Sequence, residues 1–155
     1  EIKEKDKKTI IKHLNRGGGL LGLHTAAICF DTWDDWSSIL GAQWVWNQTF
    51  HPPPKRFQVF ASSHKHPATR NIQSFEINDE IYHYLKTIPE TTPLLYTNEG
   101  EDNTVQELAW AHTNMKGRVI YSSIAHDEIS IAAHGHSKFL RQSALWCMGE
   151  RLEEN

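Results

Sequence analysis

The sequence predicts an α/β fold, a sheet flanked by helices, on three observations. A helical pattern ends in the run Gly17-Gly18-Gly19 and passes straight into the apolar segment Leu20-Leu21-Gly22-Leu23. A polar residue, His24, then stands at the end of that strand, where open α/β sheets place their ligands. Short strand patterns follow, and an amphipathic helix closes the chain. At 155 residues and 39% hydrophobic, residues 1–155 are expected to make one modest domain with enough apolar material for a core.

Residues 6–15 read as the first helix, with Ile10, Ile11 and Leu14 on one stripe, and the glycine run ends it by accepting left-handed backbone angles. Asp31 is the N-cap expected for a second helix bearing Trp33, Trp36, Ile39 and Leu40, closed by Gly41. Trp44 and Trp46 alternate with smaller residues in an extended segment, until His51-Pro52-Pro53-Pro54 breaks the pattern in a loop over the sheet end. Phe57, Val59 and Ala61 mark a strand. Phe75, Ile77, Asp79 and Ile81 alternate with Glu76, Asn78, Glu80 and Tyr82 in the next, which puts Glu80 and Tyr82 on one face. Residues 93–97 and 107–112 read as two more strands, and residues 114–117 as a turn before a strand over 118–124. Residues 137–148 form the closing helix, with Phe139, Leu140, Ala144 and Cys147 in register. A sheet entered by a helix and an apolar strand usually has earlier strands beside it, so the sheet is expected to be incomplete on its N-terminal side.

A formal net charge of −3, with Lys and Arg scattered, gives no electrostatic footprint for nucleic acid or an anionic membrane. Cys29 and Cys147 lie far apart, each beside apolar neighbours, and read as buried free thiols. No stretch approaches the roughly 18 apolar residues of a membrane span. The charged opening Glu1-Ile2-Lys3-Glu4-Lys5 is not a signal peptide, which leaves cytoplasm and periplasm both open as locations.

The ordered set Gly17 to His24, Leu40-Gly41-Ala42-Gln43, His51-Pro52, His66-Pro67, Asp79-Glu80-Ile81-Tyr82, Trp110, Gly117-Arg118-Val119-Ile120-Tyr121 and His126 resembles the trehalose utilization (ThuA-like) family. The resemblance runs from about residue 6 to residue 150 and implies a flavodoxin-like sheet of the class I glutamine amidotransferase-like kind. It also implies that this chain corresponds to the C-terminal two thirds of the family domain. In that fold the strand-to-helix turn presents a nucleophilic cysteine. Here Gly22-Leu23-His24-Thr25 offers an imidazole, and Cys29 comes five residues too late, so amidotransfer through a thioester is not expected.

On that scaffold, His24, His51, Glu80 and His126 are four ligand-type residues on or beside loops expected to meet at one sheet end. Imidazole and carboxylate are competent ligands for a divalent metal such as zinc, and three of them with an open position is the catalytic pattern. The alternative uses His24, Glu80 and His126 as acid and base on a sugar without metal, with Asp79, Tyr82 or Asp127 as orienting partners. The blander alternative has these side chains only hydrogen-bonding loops.

Trp44 and Trp46 are candidate sugar platforms, because indole faces stack on sugar rings and the indole N–H bonds hydroxyls; Asp79 and Tyr82 join them as candidate substrate contacts. Trp33, Trp36, Trp110 and Trp146 read as core. His64 and His66 fall on a turn, His134-Gly135-His136 reads as an exposed loop before the last helix, and Arg118 as a solvated charge. The resemblance implies a role in carbohydrate utilization: binding a disaccharide or its keto derivative and transforming it by hydrolysis or isomerisation. The competing expectation is a non-catalytic sugar-binding or protein-interaction module. A small carbohydrate is the expected partner, together with a second copy of the chain or another segment that completes the sheet.

Overall fold

The computed structural model describes residues 1–63 and 65–150. Helix α1 (Glu4–Asn15) leads into strand β1 (Leu20–Leu23), which ends in a 3-10 turn over His24–Ala27. Helix α2 (Asp35–Leu40) and strand β2 (Ala42–Gln43) follow, then β3 (Lys55–Ala61), β4 (Phe75–Asp79), β5 (Lys86–Thr87), β6 (Thr92–Thr97), β7 (Gln106–Asn114) and β8 (Gly117–Ser122). Helices α3 (Glu128–Ala132) and α4 (His134–Met148) complete the order.

Six strands form one sheet in the order β1-β8-β7-β6-β3-β4, and β2 pairs with β5 in a small second one. Among the described residues only β1 and β8 run parallel as neighbours; every later pairing is antiparallel. Following those directions across the sheet, β1, β8, β6 and β4 all point the same way. Their carboxyl ends therefore share one edge of the sheet, although β1 and β4 are its two outermost strands among the described residues.

The register shows how those ends meet. β3 pairs with β6 only through Phe60 and Ala61, while Lys55 to Val59 pair with Asp79 to Phe75 of β4. The β3–β4 ribbon thus overhangs the carboxyl end of β6 and carries Asp79 over the edge. Asp79 reaches the loop after β8, where its Oδ2 accepts the backbone N–H of Ala125 at 2.9 Å.

Alternation along β8 divides the core between the two faces. Val119 and Tyr121 pack with Leu14, Trp33, Trp36, Ile39, Leu40 and Trp110 on the α1 and α2 side. Ile120 points the other way, into Phe57, Val59, Ile77, Leu95, Leu108 and Phe139 beneath α4. Burial of this kind contributes roughly 25 cal/mol per Å² of apolar surface, and it holds both helical layers on the sheet. Gly19 belongs to the same packing, since a Cβ there would run into the backbone carbonyl of Cys147 on α4.

Four expectations are corrected. α2 starts at Asp35, not after an Asp31 cap, because Phe30 turns the chain at a φ of 57° and Trp33 closes that turn onto the Phe30 carbonyl. Trp44 and Trp46 sit in a turn, with Asn47 at a φ of 66° and Thr49 N–H bonded to the Val45 carbonyl. Cys29 is exposed, since it lies in the turning segment beyond β1; Cys147 is buried, and burial pushes its thiol up to about 11. Arg118 donates to the Trp146 carbonyl at 2.9 Å and lies over the Trp146 ring instead of standing free in solvent.

Candidate functional site

His24 begins the turn after β1 with a φ of 46°, a left-handed value unusual for a residue with a side chain. Tyr121 fixes it there. The tyrosine lies opposite Gly22 in the β1–β8 register, and its hydroxyl donates to the His24 carbonyl at 2.7 Å. Glu80 arrives from the end of β4, His126 from the loop after β8, and His51 from the proline-rich loop before β3.

All three imidazoles converge on the Glu80 carboxylate. His24 Nε2 lies 3.1 Å from Oε2, while His126 Nδ1 and His51 Nδ1 lie 3.2 Å and 3.3 Å from Oε1. The Glu80 side chain is 7% exposed and that of His126 is 41% exposed, so the cluster has a buried floor and an open mouth. The ligand atoms of His24, Glu80 and His126 all lie within 4.8 Å of one another. Tyr82 is buried, and its hydroxyl lies 3.0 Å from His24 Nε2.

Burial holds the His24 imidazole below the usual histidine range, against the opposing pull of the Asp79 and Glu80 charges. Near neutral pH His24 is therefore an uncharged imidazole, able to serve as a base or as a metal ligand. Burial raises the Tyr82 phenol well above its ordinary value, and the Glu80 and Asp79 charges push the same way. Tyr82 therefore stays protonated and can donate.

A family model described as ThuA, trehalose utilisation, matches residues 1–147. The chain belongs to this family. ThuA membership points to a role in carbohydrate utilisation. No curated protein matches the sequence. Among solved structures, a protein of Parabacteroides merdae described as ThuA-like shares the fold with a TM-score of 0.86 at 14% identity, over 100% of this chain and 69% of that one. A second, from Bacteroides uniformis, gives a TM-score of 0.74 at 19% identity, over 94% of this chain and 64% of that one. A cytoplasmic protein of Salmonella typhimurium gives 0.67 at 12% identity, over 95% of this chain and 62% of that one. The ThuA chain described here thus spans about two thirds of the length of these structures.

The other expected site residues of this ThuA chain divide. Trp44 flanks the cluster, its ring 5.1 Å from that of Tyr82 and 6.0 Å from that of His51, and the exposed Trp46 meets Trp44 edge-on at 6.3 Å. Asp79 is no substrate contact. It is fully buried with both oxygens engaged, Oδ1 by the Glu80 N–H and Oδ2 by the Ala125 and His126 N–H groups. Asp127 caps α3 in a reciprocal pair with Ser130, so it does not orient the cluster.

His66 accepts the Ala68 N–H as a turn cap, and His64 lies outside the described residues. His134 and His136 belong to the first turn of α4, not to an exposed loop. His136 is fully buried, Nδ1 bonded to the Ser130 carbonyl at 2.8 Å. Two features escaped the sequence reading. Tyr121 looked like a strand residue in an apolar run, and nothing in its spacing marked the bond to His24. The cleft beside Trp44, lined in part by Asp31, Asp34 and Gln43, needed the turn at Phe30 to exist at all.

Proposed function

We propose that this ThuA protein takes a disaccharide, or a keto derivative of one, over the Glu80 cluster and transforms it with the help of a divalent metal such as zinc held by His24, Glu80 and His126. One observation supports this most: a single buried carboxylate stands within 3.3 Å of three imidazole nitrogens from three separate chain segments. Metal bonds of about 2.0–2.1 Å in tetrahedral array put neighbouring donor atoms roughly 3.3–3.4 Å apart. The nitrogens of His24 and His126 stand at 3.1 Å and 3.2 Å from the two Glu80 oxygens, the donor atoms of the trio all lie within 4.8 Å, and His51 offers a fourth donor of the same kind.

A metal at this place supplies Lewis-acid polarisation of a sugar carbonyl or hydroxyl. The remaining work falls to the chain's own groups. Where a metal is bound, His24, Glu80 and His126 would hold it; where they are free of metal, Glu80 and neutral His24 accept and return a proton, and in both cases Tyr82 donates a hydrogen bond from a phenol that stays protonated and the Trp44 ring walls one side. Hydrolysis and isomerisation of a sugar both require such a proton transfer. The Tyr82 hydroxyl also lies 3.3 Å from His24 Nδ1 while Nε2 faces Glu80, which favours a second reading, in which Tyr82, His24 and Glu80 form an acid–base relay that needs no metal.

Elemental analysis of the purified protein, combined with turnover of a keto-disaccharide, tests the proposal. Stoichiometric zinc and turnover support it, and turnover without metal selects the relay. Sugar binding without turnover in the presence of zinc reduces the protein to a binding module. Absence of any sugar binding ends the carbohydrate reading.

A further inference from the structure

We infer that the cleft between the turn after β1, helix α2 and Trp44 is a second subsite that seats one unphosphorylated hexose ring, the ring that does not react. The inference rests on the sugar reading above and deepens it by naming the form of sugar accepted.

The cleft has a volume of about 190 Å³. Pockets that enclose a whole drug-sized ligand run from roughly 300 to 1,000 Å³, so this one has room for a single ring and not for a disaccharide. Its aromatic wall is built: Trp33 and Trp36 stack with ring centroids 5.7 Å apart at 24°, and the Trp36 N–H is already committed to the Ala26 carbonyl. Trp44 and Trp46 form the outer wall, and neither indole N–H has a partner among the described residues. Trp44 is shared. One of its neighbours is this cleft and the other is the Tyr82–His51 side of the Glu80 cluster, so a ring seated here is continuous with one lying over Glu80.

Charge decides which sugar. Asp31 and Asp34 lie on the wall, neither with an ion-pair partner among the described residues, and no Lys, Arg or His lines the cleft. Lys7, which stands 5.9 Å over the Trp33 ring, is engaged by Glu4 at 2.7 Å. Carboxylates accept hydrogen bonds from sugar hydroxyls and repel a phosphate, which protein sites ordinarily meet with Arg, Lys or helix N-termini. A neutral ring between indoles, with hydroxyls directed to Asp31, Asp34 and Gln43, satisfies every group named.

Calorimetric titration of the whole chain with trehalose, trehalose 6,6′-diphosphate, in which neither ring is free of phosphate, and glucose tests this, using the wild type, Trp46→Ala and the double variant Asp31→Asn/Asp34→Asn. The wild type is expected to prefer trehalose to glucose, and to bind the diphosphate at least about tenfold more weakly than trehalose. Trp46→Ala should lower trehalose affinity about tenfold, to the level of glucose, with glucose affinity unchanged. The double variant should narrow the gap between trehalose and its diphosphate. Both variants alter exposed side chains, and an unchanged circular dichroism spectrum confirms that they fold. Equal binding of trehalose and its diphosphate overturns the inference. So does a Trp46→Ala effect that is absent or shared by glucose, and in either case binding over Glu80 is left standing. If no sugar binds the wild type, the carbohydrate reading itself fails and the subsite with it.

Discussion

Asp79 Oδ2 accepts the backbone N–H of His126 at 3.2 Å, so the carboxylate next to Glu80 in sequence fixes the loop that delivers His126 to Glu80. Ala125, one residue earlier, sits at a φ of 140°, a region that favours glycine, and its N–H goes to the same oxygen at 2.9 Å. Such a conformation costs about 1–3 kcal/mol and persists only where neighbours impose it. Two hydrogen bonds to a buried carboxylate, each worth about 1.5–3 kcal/mol, are sufficient to impose it.

Asp79→Asn tests that coupling. The amide removes the charge, and turning its NH2 toward the loop would set donor against donor. Stability should fall by about 2–3 kcal/mol, read as a lower urea midpoint, and His126 should withdraw from Glu80. An unchanged midpoint, with site chemistry equal to wild type, would remove Asp79 from this role.

Much of the fold was legible because its signals are local. The stripe of Ile10, Ile11 and Leu14, the alternation through Phe75 and Ile77, and the turn before Gly117 each need only a few residues, and α1, β4 and the β7–β8 hairpin follow them. Glu80 and Tyr82 both reach His24, but β4 ends at Asp79 and does not run on to Tyr82 as the alternation suggested, so they do so from the segment beyond the strand. What failed depended on distant contacts. Asp79 looked like a polar group available to substrate because its partners, the Ala125 and His126 amides, lie 46 and 47 residues away in sequence. Cys29 looked buried because its neighbours are apolar, but the turn at Phe30 leaves it at the surface.

The proposed metal centre predicts unequal losses. His126→Ala removes one of the three donors that lie within 4.8 Å, and should abolish stoichiometric zinc. His51→Ala removes the donor outside that trio and should weaken zinc retention without abolishing it. Elemental analysis after dialysis reads both. Zinc retained by His126→Ala at the wild-type level would exclude His126 as a ligand.

Packing of β1 on α4 predicts a glycine effect. A methyl group at Gly19 would collide with the Cys147 carbonyl, a backbone atom that cannot rotate away. Gly19→Ala should therefore cost about 1–3 kcal/mol, as overpacking does. Gly17→Ala tests strain instead of space: its φ of 85° disfavours a side chain, while the nearest atom, the Lys116 carbonyl oxygen, lies 3.6 Å from where the new methyl group would sit. A Gly19→Ala midpoint equal to wild type would show that α4 shifts freely on the strand.

The last prediction concerns pH and uses two histidines outside the Glu80 cluster, of which His136 feels the Asp79 charge. His112 donates from Nε2 to the Ile39 carbonyl at 3.0 Å, and His136 donates from Nδ1 to the Ser130 carbonyl at 2.8 Å while its Nε2 is buried without a partner among the described residues. Burial holds both imidazoles below the ordinary value of 6.5. Between the folded value and 6.5 the unfolded chain binds more protons than the folded one, so stability rises with pH in that window. It should be level above about pH 7.5 and fall as pH drops through 6.5, continuing until the folded-state values are passed. His136→Asn keeps a donor for Ser130 and removes the titration, so urea midpoints measured from about pH 8 down to about pH 5 should fall less steeply in the variant. A wild-type midpoint that stays flat across that range, or rises on acidification, would contradict the burial of these two neutral imidazoles.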